Sequence, residues 1–152
     1  MLDIYVDGDA CPVKEEVLKV ADRNGLRVVM VSNRWSRRAD APNVRQVVVS
    51  EGFDAADNWI AEHIGDGDIC ITADIPLASR CLKNGAHVLG PTGRPFSEQS
   101  IGMALAMRDL NAHLRETGEI KGYVPGFTRQ DRSRFLGELD KLIQRVRKEA
   151  RP

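Results

Sequence analysis

Apolar and polar positions follow two rhythms along this chain, and the rhythms take turns. Leu2, Ile4 and Val6 interleave with Asp3, Tyr5 and Asp7, the period of a strand, and the run stops at Asp7-Gly8. Pro12 fits the first turn of a following helix, whose inner stripe is Val13, Val17, Val20 and Ala21 and which Asn24-Gly25 closes. Leu26 to Ser32 is continuous and largely β-branched, as suits a strand covered on both faces. Asn33-Arg34-Trp35-Ser36-Arg37-Arg38 then opens a loop with no evident helix, and Val44 to Ser50 predicts a third strand.

Helical spacing returns from Phe53 to Ile64, with Asp54 as a candidate N-cap and Asp57, Ile60, Ala61 and Ile64 along one face. Asp68 to Thr72 is a strand that runs into Ala73-Asp74-Ile75-Pro76, repeating the opening's order of apolar strand, acid and helix-initiating proline. Leu77 to Asn84 predicts a short helix, and His87 to Gly90 a last strand before the Pro91-Thr92-Gly93-Arg94-Pro95 loop. Two more helices are expected, one over Glu98 to Glu116 and one from Thr128 with Phe135, Leu139, Leu142 and Val146 inward. The alternation predicts an α/β fold with a mostly parallel five-stranded sheet, helices on both faces and two C-terminal helices, in a single domain over 1–152.

Composition narrows the function without naming it. The 152 residues include 22 basic and 22 acidic side chains, so the chain is not a globally basic nucleic-acid binder, although charges of one sign can still gather locally. Cys11, Cys70 and Cys81 lack C-x-x-C spacing, which argues against a disulfide framework or a structural zinc. No apolar run approaches the roughly 20 residues of a membrane span, and no secretory leader pattern opens the chain. A reduced, cytoplasmic protein without membrane association is the expectation.

The candidate chemistry is acidic. Asp7, Asp9 and Asp74 follow strands that end at one edge of a parallel sheet, and a crossover helix would bring Asp57 over the same edge. Carboxylates gathered there repel one another unless a cation lies between them, and hard oxygen donors without Cys or His select Mg2+ or Mn2+. Such a metal activates water and neutralises charge on a phosphoryl group. The plainer reading is capping: Asp9 and Asp74 suit helix N-caps, and Asp54 with Asp57 suits a capping arrangement. Asp7 has no such role at the end of a central strand.

Val6-Asp7-Gly8-Asp9-Ala10-Cys11-Pro12-Val13-Lys14, Asp54-Ala55-Ala56-Asp57, Ile71-Thr72-Ala73-Asp74-Ile75-Pro76, Gly93-Arg94-Pro95-Phe96 and Asp131-Arg132-Ser133-Arg134-Phe135 closely resemble the YaiI/YqxD family of uncharacterised bacterial proteins. Through it the chain is similar to the PIN-like superfamily, which implies a three-layer sandwich and a Mg2+- or Mn2+-dependent ribonuclease. By that resemblance Asp7, Asp57 and Asp74 match the first, helical and Thr-x-Asp acids, and Asp9 stands where Ser or Thr is common. The fourth acid of the pattern is replaced by Pro91, Thr92, Gly93 and Arg94.

Arg34, Arg37 and Arg38 around Trp35 offer phosphate contacts and a ring for an unpaired base, and Arg94, Arg129, Arg132 and Arg134 can extend that rim. A solvated loop explains such a run equally. Trp59 is expected to pack, and His63, His87 and His113 to be structural or superficial. Three functions follow: a metal-dependent nuclease or phosphodiesterase on single-stranded RNA, a haloacid-dehalogenase-type phosphohydrolase with Asp7 as nucleophile and Asp9 as general acid, or a non-catalytic RNA- or protein-binding module. Cys11 stands where the second of these usually has Thr or Val.

Overall fold

The computed structural model describes residues 2–8, 11–50, 52, 55–103, 106 and 128–150. Six strands form one sheet: β1 (Asp3–Asp7), β2 (Arg27–Ser32), β3 (Val44–Val48), β4 (Ile69–Ile71), β5 (His87–Leu89) and β6 (Pro95–Phe96), in the order β3-β2-β1-β4-β5-β6. The first five run parallel and β6 returns antiparallel to β5. Around them lie α1 (Lys14–Asn24), α2 (Ala55–His63), α3 (Ile75–Lys83), the helical residues 98–103 (α4) and α5 (Arg129–Ala150).

Strand register sorts the core into two layers. Ile4 and Val6 lie beside Val28, Met30, Ile69 and Ile71 on one face, where Val17 and Val20 of α1 and Phe135, Leu139 and Ile143 of α5 cover them. Tyr5, Val29, Val31 and Cys70 point the other way, under Ile60 of α2, Leu77 and Cys81 of α3 and Ile101 of α4. The result is a three-layer sandwich. Val28 to Ser32 are all buried, which is why β2 reads as an unbroken apolar run.

The predicted five-strand sheet gains a sixth, because Pro95-Phe96 folds back after a tight turn at 91–94. Gly90 N–H donates to Arg94 O at 2.9 Å, and Gly93 takes φ 87°. Proline is tolerated there because β6 lies at the sheet's edge. Between β2 and β3 the chain makes a single 3-10 turn over Arg37–Ala39, which tucks Ala39 into the α1 layer. The predicted helix over Glu98 to Glu116 is helical at 98–103; most of its remainder and the Asp54 cap lie outside the described residues. Among the described residues no helix is long and apolar enough to cross a membrane.

α5 is fastened to α1 at both ends. Arg132 donates to Pro12 O at 2.9 Å and pairs with Glu16 at 3.1 Å. At the far end Asn24 exchanges hydrogen bonds with Asp140 and Gln144, and Arg147 donates to Asn24 O.

Candidate active site

From β1 the chain builds the sheet outward through β2 to β3, then crosses back and builds the other way through β4, β5 and β6. The reversal leaves a crevice between the carboxyl ends of β1 and β4, the usual place for a ligand in an open α/β sheet. A cavity of about 100 Å³ occupies it, lined by Asp7, Cys11, Thr72, Ala73, Asp74 and Pro91 among others.

Asp7 ends β1 on the face shared with Tyr5, toward the α2 and α3 layer. Across from it, Thr72 is buried and its hydroxyl accepts from Asp74 N–H at 3.0 Å, which fixes the turn out of β4. Asp74 is the N-cap of α3: its Oδ1 accepts from Leu77 N–H at 2.8 Å, leaving Oδ2 outside the capping bond. The cap and the crevice wall are thus one residue.

Asp57 sits half-buried in the first turn of α2 but does not line this cavity. Its field and that of Asp7 meet at Cys70. A hydrogen bond to Cys81 and complete burial push the Cys70 thiol well up, and the two carboxylates add to the effect. Burial likewise pushes Cys11 up to about 11, outweighing a main-chain hydrogen bond at Val13 and the nearby Lys14 charge. These thiols stay protonated at neutral pH, which removes any expectation of a reactive thiolate at the start of α1.

Among the described residues, no three His, Cys, Asp or Glu side chains are gathered closely enough to hold a metal ion. Asp9 and the side chain of Arg38 lie outside the described residues.

On the other side of Cys11 and Pro12 lies a much larger cleft, about 1090 Å³, between the ends of β1 and β2, the start of α1 and the loop after β2. Arg34, Trp35 and Arg37 line it, and Lys14 and Arg132 join them from the helices. Arg132 is already engaged with Glu16 and Pro12. Arg94 is not on this wall; its charge acts on Asp131 at the start of α5. The two cavities share Cys11 and Pro12, so the acidic crevice and the basic cleft abut.

A model of the "Uncharacterized BCR, YaiI/YqxD family" matches residues 5–145. The chain belongs to the YaiI/YqxD family. It is similar to a UPF0178 protein of Mesorhizobium japonicum, 62% identical over 149 residues, which is 98% of this chain and 96% of the relative. A UPF0178 protein of Rhizobium etli is 62% identical over 95% of this chain and 93% of its own length. Another, of Parvibaculum lavamentivorans, is 57% identical over the whole of both. No solved structure matches the chain significantly.

In this YaiI/YqxD chain three contributors to the site escape a reading by motif. Lys14 is a polar residue at the start of a helix and reads as solvated. Ser32 looks like the last residue of a strand, yet it is buried and its Oγ donates to Arg34 O at 2.7 Å. Gln46 had one visible signal: it occupies the inward parity of β3, in register with Met30, where Val44 shows that an apolar residue is expected. Trp59 packs as predicted, stacked on His63 at 3.8 Å, with the Arg45 guanidinium 5.8 Å from its ring.

Proposed function

We propose that this protein is a Mg2+- or Mn2+-dependent nuclease or phosphodiesterase acting on single-stranded RNA in the cytoplasm, and that it is PIN-like in descent. The observation that carries the reading is the juxtaposition of two carboxylates, Asp7 and Asp74, across the switch-point crevice with a basic, Trp-bearing cleft beside it.

The donor set fits the metal. Mg2+ is commonly held by one or two carboxylates, the rest of its shell being water and substrate phosphate, so Asp7 and Asp74 suffice and a third acid is not required. Asp57, in the first turn of α2, and Asp9 belong to the proposed set as support. When bound, the ion supplies charge neutralisation at the phosphoryl group and a more acidic water. The residues do the rest. Asp7 is held on a central strand, and the cap bond to Leu77 fixes Asp74, so both keep their positions without reorganisation. Arg34 and Arg37 hold the backbone; Arg94, which lies off this wall, and Arg38, whose side chain is outside the described residues, belong to the proposed substrate-binding set.

Cleavage of an end-labelled single-stranded RNA in Mg2+, Mn2+ and chelator tests this. Turnover in metal that disappears in chelator and in Asp7→Asn and Asp74→Asn supports the reading; equal activity in wild type and variants marks a contaminant. The lack of a three-acid cluster among the described residues favours a second reading, a non-catalytic RNA-binding module. Binding that persists in chelator, with no turnover of any oligonucleotide, selects it. Nothing in the geometry singles out the phosphoaspartate route, whose proposed acid, Asp9, lies outside the described residues.

A further inference from the structure

Trp35 turns 56% of its surface to solvent on main chain that is tied down on both sides. Before it, Ser32 Oγ donates to Arg34 O at 2.7 Å. After it, Ser36 N–H donates to Gln46 Oε1 and Gln46 Nε2 donates to Ser36 O, each at 2.8 Å. The Gln46 carboxamide thus pairs with Ser36 as a neighbouring strand residue would, and does so from a position on β3 that packing alone would give to an apolar side chain.

These bonds fix the main chain that carries Trp35 at the rim of the cleft, where its exposed ring offers a flat apolar face. The cleft it borders also carries Arg34, Arg37 and Lys14, none of which has an ion-pair partner among the described residues. A small inorganic anion would use those cations and leave the ring bare. An apolar ligand would use the ring and leave the cations desolvated. A nucleotide uses both, since every base has a stacking face and every linkage a phosphate. At about 1090 Å³ the cleft is at the upper end of ligand-site volumes, with room for one nucleotide and part of its neighbours.

We propose that this cleft binds one unpaired nucleotide of a single-stranded nucleic acid, with the base stacked on Trp35, the phosphates on Arg34, Arg37 and Lys14, and Gln46 as the positioning residue for Trp35. It rests on the single-stranded substrate proposed above but asks nothing of the metal or of Asp7 and Asp74.

The test is binding of a fluorescein-labelled hexaadenylate RNA to the full chain in excess chelator, followed by anisotropy. Wild type binds, Trp35→Ala weakens binding by about tenfold or more, and Trp35→Phe recovers much of the loss, as stacking of one base requires. Gln46→Ala weakens binding by about tenfold with an unchanged circular dichroism spectrum. In a Trp59→Phe background, where Trp35 is the sole indole, the oligonucleotide quenches emission and Gln46→Ala reduces the quench; the anisotropy series stands on its own if that background does not fold. Wild-type affinity in Trp35→Ala or in Gln46→Ala overturns the proposal, as does displacement of the RNA by pyrophosphate as readily as by adenosine monophosphate. Binding in chelator without cleavage in metal overturns the nuclease reading alone, whereas absence of wild-type binding overturns this one.

Discussion

Asp74 accepts the main-chain N–H of Leu77 at 2.8 Å and, with the same carboxylate, forms the wall of the switch-point crevice opposite Asp7. The two roles separate by substitution. Asp74→Ala removes the cap and should lower the unfolding free energy by about 1 kcal/mol in urea titration. Asp74→Asn keeps a capping oxygen and should lie within a few tenths of a kcal/mol of wild type, yet lose roughly a hundredfold or more of metal-dependent cleavage. Wild-type cleavage by Asp74→Asn would reduce Asp74 to a cap.

Cation binding should be visible without turnover. If Mg2+ binds the folded crevice only, a concentration ten times its dissociation constant adds about 1.4 kcal/mol, which for a domain of this size raises the thermal midpoint by roughly 3–6 °C. Asp7→Asn should abolish that rise. Differential scanning fluorimetry in Mg2+, Mn2+ and matched Na+ measures it, and an equal response in Na+ would assign the effect to ionic strength.

What could be read from the amino acids, and what could not, follows from how local each determinant is. β1, β2, β4 and β5 announce themselves because both faces of an inner parallel strand are covered, so Val28 to Val31 need no partner to be recognised; β3, at the sheet's edge, reads from its Val47-Val48 run instead. The α5 stripe is equally plain, since Phe135, Leu139, Leu142 and Val146 repeat at helical spacing and all are buried. β6 is two residues long, one of them proline, and exists only because β5 offers an edge. Asp7 and Asp74 were legible as a pair, because each follows an apolar strand and precedes a proline near the next helix; Pro76 lies in the first turn of α3, whereas Pro12 stands just ahead of Val13, the N-cap of α1. The position of Arg94 was not: the packing of α5 against the β5–β6 turn decides it, and that contact joins distant parts of the chain.

That packing makes Gly93 a sensitive position. Its φ of 87° disfavours any side chain, and a Cβ built there would meet Arg134 side-chain and main-chain atoms at 3.0 to 3.1 Å. Left-handed backbone alone costs roughly 1–2 kcal/mol for a non-glycine residue, and the approach to helix backbone adds to it. Gly93→Ala should therefore lose about 2 kcal/mol or more in chemical denaturation. Gly25 also has positive φ, but no atom lies within 4 Å of the equivalent Cβ, so Gly25→Ala should cost the backbone term only. Equal losses at the two sites would show that the Arg134 contact yields freely.

The start of α5 predicts an acid-sensitive step. Thr128 Oγ1 accepts from Asp131 N–H at 3.1 Å and Asp131 Oδ2 accepts from Thr128 N–H at 3.0 Å, a reciprocal cap with aspartate in the third position. The main-chain bond from Thr128 holds the Asp131 carboxyl below the ordinary range, with the Thr128 hydroxyl side, Arg134 and Arg94 acting in the same direction. A carboxyl held low in the folded chain contributes stability that is present above its unfolded pKa, near 4, and is lost as pH falls through the lower folded value. Thr128→Ala should cost about 1 kcal/mol at neutral pH. Asp131→Asn should flatten the part of the stability curve that falls below pH 4, as read by urea midpoints across pH 2.5–6; an unchanged slope would mean that other carboxylates carry the acid transition.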